Sequence, residues 1–271
     1  MTNTIDITSS TPLEPSSPRH LTTRRTVRRE SRLVDSLRSE WIKLTTVRSP
    51  RAILALTVLV GGIASFMVAR LADQPGLNVA GMFGFSAVFT AVFAAVSGIL
   101  IYTAEAEYHT AHQAFAAQPR RGIVVAAKTI VTAIYTAALG LSGLVAGIAG
   151  AALGGIPAGD TSTIPTSIAW ATGFAVLSGV LGLGIGLLAR HSAAAISGVL
   201  VWWLVIESLV GAFAPDRVVR FMPFVAGNGM LDIAPEGEAI AFGRPITTLI
   251  FAGYAAAALL LGAVVTNYTD P

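Results

Sequence analysis

The uneven spacing of charge is the feature that most limits what this chain can fold into. Only 12% of its 271 residues are charged, against about 25% in a soluble domain, and they cluster between long apolar tracts. A helix that crosses a bilayer needs about 20 predominantly apolar residues. Six tracts approach or exceed that length, at about 52–69, 79–104, 123–153, 168–189, 193–214 and 246–266. The sequence therefore predicts an all-α integral membrane protein, a bundle of six transmembrane helices.

Residues 1–33 differ from the rest of the chain. They begin with a stretch rich in Ser, Thr and Pro and continue with a run of arginines, a composition that predicts a disordered basic arm. Such an arm can lie against anionic lipid or bind nucleic acid. We expect the lipid bilayer and no nucleic-acid partner, because residues 34–271 form the six-helix membrane domain.

A short amphipathic segment precedes the first tract. Its larger apolar residues recur at three- and four-residue steps, which places them on one face of a helix. They are Val34, Leu37, Trp41, Leu44 and Val47. Two environments fit this helix: the membrane interface, where it would form an elbow, or the cytosol. The elbow is favoured because an apolar span follows at once, and we expect Pro50 to end the elbow helix before that span.

The distribution of cations predicts the orientation. Fourteen of the 18 Lys and Arg residues fall on the side of the N-terminus if the six tracts alternate in direction. Cytoplasmic loops of membrane proteins carry the excess of Lys and Arg. We therefore expect a multi-pass protein of the cell membrane with both termini in the cytoplasm.

Three features of the spans invite interpretation. Glycines recur at three- and four-residue steps from Gly143 to Gly154, a spacing that permits close helix packing, either within the bundle or at a dimer seam. Glu207 is an ionisable residue deep in the fifth tract. It is either a functional contact, made with cargo, an ion or another helix, or simply a carboxylate at a helix break. The connection 215–245 contains four prolines and predicts a broken, re-entrant segment or a plain external loop.

Enzymatic chemistry is not expected. The chain has no cysteine, and the sequence shows no set of residues for a metal or a cofactor. Ser142 lies in a Gly-x-Ser-Gly motif, but all four histidines fall in the arm or near loops, so no base is available to activate it. The segment 122–129 resembles a phosphate loop but has Ala127 where the second glycine is required. We interpret Lys128 in this segment as an interface cation whose ammonium reaches the aqueous boundary.

Four segments together resemble the type-2 permease subunits of ATP-binding-cassette exporters. They are the elbow 37–49, the loop end 118–122 with its continuation to 128, the turn 190–193, and the Pro-Phe of the broken connection at 223–224. Their order and spacing carry the resemblance, which covers the chain from residue 34 onwards. In the family, the loop after span two begins with a Glu-x-Arg-x-Gly-Thr pattern. Glu105 and Thr110 match its ends, whereas Glu107 stands where the pattern has Arg.

The resemblance implies a function. A second permease copy would complete the translocation pathway, and a separate cytoplasmic ATPase subunit would drive it. The implied ATPase-coupling residues are Trp41, Lys43, Glu105, Glu107, Tyr108, Thr110, Pro119, Arg120 and Arg121. The alternative is a membrane scaffold or immunity protein that binds a ligand or partner without transporting it.

Overall fold

A computed structural model describes residues 31–71, 79–108, 120–157, 162, 164–231 and 242–268. Within these residues the protein is helical and contains no strand. The helices are α1 (Ser31–Thr46), α2 (Arg48–Leu71), α3 (Val79–Glu107), α4 (Arg121–Leu153), α5 (Ile164–Ala189), α6 (Ser192–Phe213), α7 (Asp216–Val219), α8 (Pro223–Gly229) and α9 (Arg244–Tyr268). The predicted arm falls outside the described residues except for its last three, which begin α1.

The six predicted spans correspond to α2, α3, α4, α5, α6 and α9. Each has a stretch long and apolar enough to cross a bilayer. The prediction of an all-α, multi-pass membrane protein is confirmed. The helices extend a few residues beyond the predicted limits, because charged residues such as Arg48, Glu107 and Arg121 continue the helical backbone past the apolar tract.

Helices α3 and α5 form the centre of the bundle and approach each other closely. A Cβ atom at Gly182 of α5 would collide with the backbone carbonyl of Ala95 in α3. Gly150 of α4 meets the backbone of Gly62 in α2 in the same way. In lipid, helix association depends on such close backbone contact. These glycines therefore pack the helices of one chain against each other, and they do not form a dimer seam.

The junction of α1 and α2 differs from the prediction. The helix bends at Val47, and Pro50 lies inside the first turn of α2. Proline is tolerated there because the first backbone N–H groups of a helix have no partner within it. The prediction that Pro50 ends the elbow helix is therefore wrong by one turn.

The connection after α6 folds back into the bundle. Within the described part, α8 is buried over most of its length, which excludes the plain external loop for this segment. Phe224 of α8 stacks on Trp203 of α6, with ring centroids 4.0 Å apart and planes 7° apart. Phe251 of α9 and Phe174 of α5 complete the aromatic cluster. A broken segment packed inside the bundle, as predicted, is what the structure contains.

Candidate functional site at the α1 end of the bundle

Four charged side chains meet where α1 crosses the bundle. Glu40 and Lys43 come from α1, Glu105 from the last turn of α3, and Lys128 from the second turn of α4. Lys128 Nζ lies 2.8 Å from Glu40 Oε2 and 2.8 Å from Glu105 Oε1. Lys43 Nζ lies 2.8 Å from Glu40 Oε1 and 2.9 Å from Glu105 Oε1. We call these four residues the ion cluster; it joins three helices and has no net charge.

Helical spacing explains how α1 supplies two members. Residues three apart lie on the same face, so Glu40 and Lys43 point towards α3 and α4 together. This polar face was not predicted to pack inwards. The predicted apolar stripe instead divides: Leu44 packs on Ile53 and Leu139, while Trp41 is 45% exposed. The exposed part of the stripe is free to contact lipid, as an interfacial elbow requires.

Burial makes the ion cluster sensitive to any change in charge. Lys128 is 1% exposed, Glu40 6% and Glu105 15%. A buried charge is tolerated only when it is paired and hydrogen-bonded, and each of these side chains has an opposite charge within 3 Å. The interpretation of Lys128 as an interface cation is therefore wrong, because its ammonium points into the protein, where two carboxylates hold it.

Lys43 is the member nearest to the surface, with 40% of its side chain exposed. Burial lowers the pKa of its ammonium, but the hydrogen bond to Glu40 and the charges of Glu105 and Glu40 outweigh that effect. The net result is a raised pKa. Lys43 is therefore protonated at neutral pH, and its ammonium contacts both carboxylates of the cluster.

The implied coupling residues separate into two groups. Trp41, Tyr108 and Arg120 are exposed, and Tyr108 has 78% of its surface accessible. Lys43 and Glu105 instead belong to the ion cluster. Thr110 and Pro119 lie outside the described residues.

Two further coupling residues bind neighbouring helix ends. Glu107 accepts hydrogen bonds from the backbone N–H and the hydroxyl of Ser192 at 2.6 and 3.0 Å, at the start of α6. Arg121 donates to the carbonyl oxygen of Thr266 at 2.6 Å, in the last turns of α9. A carboxylate at a helix N-terminus and a guanidinium at a C-terminus both complement the helix dipole. These contacts fix the ends of α3, α4, α6 and α9 at the same end of the bundle.

A cavity of about 650 Å³ opens beside the ion cluster, between α1 and the helices α2, α3 and α4. The rim includes the exposed residues Ser39, Val47 and Tyr108. Ile53 and Tyr135 form the deep end, where the Tyr135 hydroxyl donates to the carbonyl of Pro50 at 2.7 Å. The volume falls within the range of small-molecule pockets.

Glu207 forms a second buried site, away from α1. Its carboxylate accepts hydrogen bonds from the backbone N–H groups of Phe224 and Val225, at 2.9 and 2.8 Å, and from the indole N–H of Trp202 at 3.1 Å. The two backbone donors lie in the first turn of α8, so Glu207 caps that helix from α6. A π-helical turn at Trp202–Ile206 precedes Glu207, and α6 continues through it without a break.

The described residues contain no group of three or more His, Cys, Asp or Glu side chains that could hold a metal ion. The α1 end of the bundle offers ion pairs, helix caps and a cavity.

Sequence reasoning missed Glu40 and the inward role of Lys128. The available signal was a lysine six residues inside an apolar tract, which needs a counter-charge. No protein-family model and no curated protein matches this chain.

Proposed function

We propose that this protein is the membrane-spanning permease subunit of an ATP-binding-cassette exporter. In this proposal α1 is the elbow, a separate ATPase subunit binds at the α1 end of the bundle, and a second permease copy completes the pathway. The excess of Lys and Arg on this side supports a cytoplasmic location for the α1 end and for both termini.

The observation that carries the proposal is the ion cluster. A subunit driven by an external ATPase needs a surface element that is firmly attached to the spans. When the ATPase displaces that element, the spans then move with it. Buried ion pairs attach α1 to both α3 and α4, so a displacement of α1 moves those two spans with it. An ordinary solvated amphipathic helix would not require a buried lysine and two buried carboxylates at its contact with the bundle.

The exposed residues next to this attachment form the proposed ATPase contact. Trp41 and Tyr108 are aromatic side chains at the surface, and Arg120 is an exposed cation directly before α4. Tyr, Trp and Arg are the residues most enriched at the energetic centres of protein interfaces. ATP can then shift the bundle between inward- and outward-open states only by binding those two states with different affinity.

Affinity purification tests the proposal. The tagged chain is isolated from its native membrane in mild detergent, and co-purifying proteins are identified by mass spectrometry. We expect an ATP-binding subunit, and we expect Tyr108→Ala with Arg120→Ala to reduce its recovery. Arg70→Ala, an exposed cation at the opposite end of α2, is the matched control and should leave recovery unchanged. Absence of any ATP-binding subunit from the wild-type preparation would refute the proposal.

The lack of cysteine in the natural chain permits a direct test of orientation. Tyr108→Cys introduces a single thiol at the α1 end of the bundle, and Arg70→Cys introduces one at the opposite end. A membrane-impermeant maleimide added to intact cells should label the second variant and leave the first unlabelled until the cells are opened. The reverse pattern would contradict a cytoplasmic α1 end.

A further inference from the structure

The cavity beside the ion cluster has the position and polarity of a lipid site. One part of its wall comes from the start of α2, at Ser49 and Pro50, and another from the end of α3, at Glu105 and Tyr108. Because these are the ends of membrane spans, the mouth lies at the level where headgroups meet hydrocarbon. The cavity then extends inwards by one to two turns, to Ile53 and Tyr135.

The walls of the cavity suit a hydrocarbon chain. Its apolar lining includes Leu44, Val47, Ile53, Leu100, Ile101 and Val131. Pockets that bury small molecules are lined mainly by such side chains, with a few polar groups that fix orientation. Here the charged groups lie towards one end, at Glu40, Lys43 and Glu105. The hydroxyls of Ser97 and Tyr135 also line the cavity, and both donate to backbone carbonyls.

Lys43 provides the donor that a headgroup would need. Its ammonium has three N–H groups, and the two carboxylates of the cluster accept two of them. The side chain lines the cavity and is 40% exposed, so the third N–H can reach an acceptor at the mouth. Glu40 suits a cationic ligand less well, because both of its oxygens already accept from lysine ammonium groups and only 6% of its side chain is exposed.

The charges around the mouth also favour an anion. The ion cluster itself is neutral, so it does not repel a phosphate. Arg48 and Arg51 lie next in sequence to the lining residues Val47, Ser49 and Pro50, and both are exposed. Cations close to a membrane surface attract anionic lipids.

We propose that the cavity between α1 and the spans binds one acyl chain of an anionic phospholipid, whose phosphate accepts a hydrogen bond from Lys43. This inference does not depend on the proposed transport function, because it concerns only the cavity and its mouth. The bound lipid would fill the space under α1 and hold the elbow at the membrane surface.

Native mass spectrometry of the purified protein tests the proposal. Wild-type protein in detergent is titrated with dioleoyl-phosphatidylglycerol or dioleoyl-phosphatidylcholine, and bound lipid is counted per chain. We expect one tightly bound phosphatidylglycerol, with affinity about tenfold higher than for phosphatidylcholine. Both lipids offer a phosphate to Lys43, but only phosphatidylglycerol carries the net negative charge that Arg48 and Arg51 attract.

Two tryptophan variants separate the cavity from the general lipid surface. Leu100→Trp places a large side chain in the cavity and should abolish the tight phosphatidylglycerol site. Leu59→Trp lies on the exposed face of α2, outside the cavity, and should leave it intact. Equal lipid binding by these two variants would overturn the proposal.

The headgroup contact has its own variant. Lys43→Gln keeps N–H donors for the carboxylates but removes the charge, so it should weaken binding of phosphatidylglycerol and reduce its preference over phosphatidylcholine. Circular dichroism and the elution volume in detergent confirm that each variant is folded. Equal affinity of the wild type for the two lipids would overturn the anionic specificity.

Discussion

The ion cluster and the Glu207 site both bury carboxylates, but they compensate the charge by different means. In the ion cluster, Lys43 and Lys128 supply opposite charges from side chains. At the other site, Glu207 accepts from two backbone N–H groups of α8 and from one indole. The first arrangement depends on the presence of specific side chains. The second depends on the position of a helix terminus.

This difference bears on how each site works. Removing one side chain from the ion cluster leaves an opposite charge buried without its partner, and a second substitution can remove that charge too. No substitution can remove the backbone N–H groups that Glu207 satisfies, apart from proline. The ion cluster is therefore an attachment that can be retuned by paired changes, whereas the Glu207 cap fixes where α8 begins.

Lys128→Met gives the largest expected effect. It leaves Glu40 and Glu105 with Lys43 as their one remaining lysine partner in the cluster, and breaking a buried ion pair typically costs about 3–5 kcal/mol. Unfolding of the purified protein by a denaturing detergent should shift to a correspondingly lower concentration. Labelling of a cysteine introduced into α1 near Trp41 should also show that α1 has become more accessible.

The paired variant sharpens this prediction. Glu40→Met with Lys128→Met removes one charge of each sign and leaves Lys43 with Glu105, so stability should return most of the way to wild type. A double variant as unstable as the sum of its two single variants would show that the charges do not interact, and the ion cluster would lose its assigned role.

Glu207→Gln is expected to cost about 1–3 kcal/mol. Glutamine keeps one oxygen acceptor but places an NH₂ group against a backbone N–H, so one buried donor in α8 loses its partner. Hydrogen exchange at the Phe224 and Val225 amides should accelerate. The control is Ser208→Ala on the exposed side of α6, which should change neither quantity. Unchanged exchange in Glu207→Gln would exclude the cap.

The architecture could be predicted from the sequence because the bilayer restricts the possibilities. Apolar tracts of span length gave the six helices, and clustered prolines such as Pro215 and Pro223 indicated the broken segment. Glycines at three- and four-residue steps indicated close packing, and the structure shows that this packing is within one chain.

The site was less predictable, because its contacts join residues distant in sequence. Lys128 pairs with Glu40 across 88 residues, and nothing local to either residue identifies the other. The family resemblance implied that Glu105 and Lys43 contact an ATPase, and the structure shows that both belong to the ion cluster, where Lys43 keeps 40% of its side chain exposed. A lysine within an apolar tract does indicate that a counter-charge exists. It does not indicate which carboxylate supplies it.

Alkaline pH should weaken the ion cluster through Lys43. Its pKa is raised in the folded protein, mainly because contacts with Glu40 and Glu105 outweigh the effect of burial. Its stabilising contribution is therefore complete below the ordinary lysine pKa of roughly 10.4 and is lost as the pH rises through the raised folded value. In the wild type, fluorescence from a probe on α1 should show that α1 detaches from α3 and α4 in that pH range. Lys43→Gln should remove this pH dependence, and an unaltered transition would assign it to another group.

Glu107→Gln is expected to have the smallest effect and completes the comparison with Glu207. Both carboxylates accept backbone hydrogen bonds at the start of a helix, but Glu107 is exposed and Glu207 is buried. Water can replace a lost acceptor at the exposed start of α6, whereas the first turn of α8 is buried and its N–H groups would stay without an acceptor. Exchange of the Ser192 amide should accelerate in Glu107→Gln while the denaturation midpoint stays at the wild-type value. A fall in midpoint equal to that of Glu207→Gln would show that burial does not set the difference between the two caps.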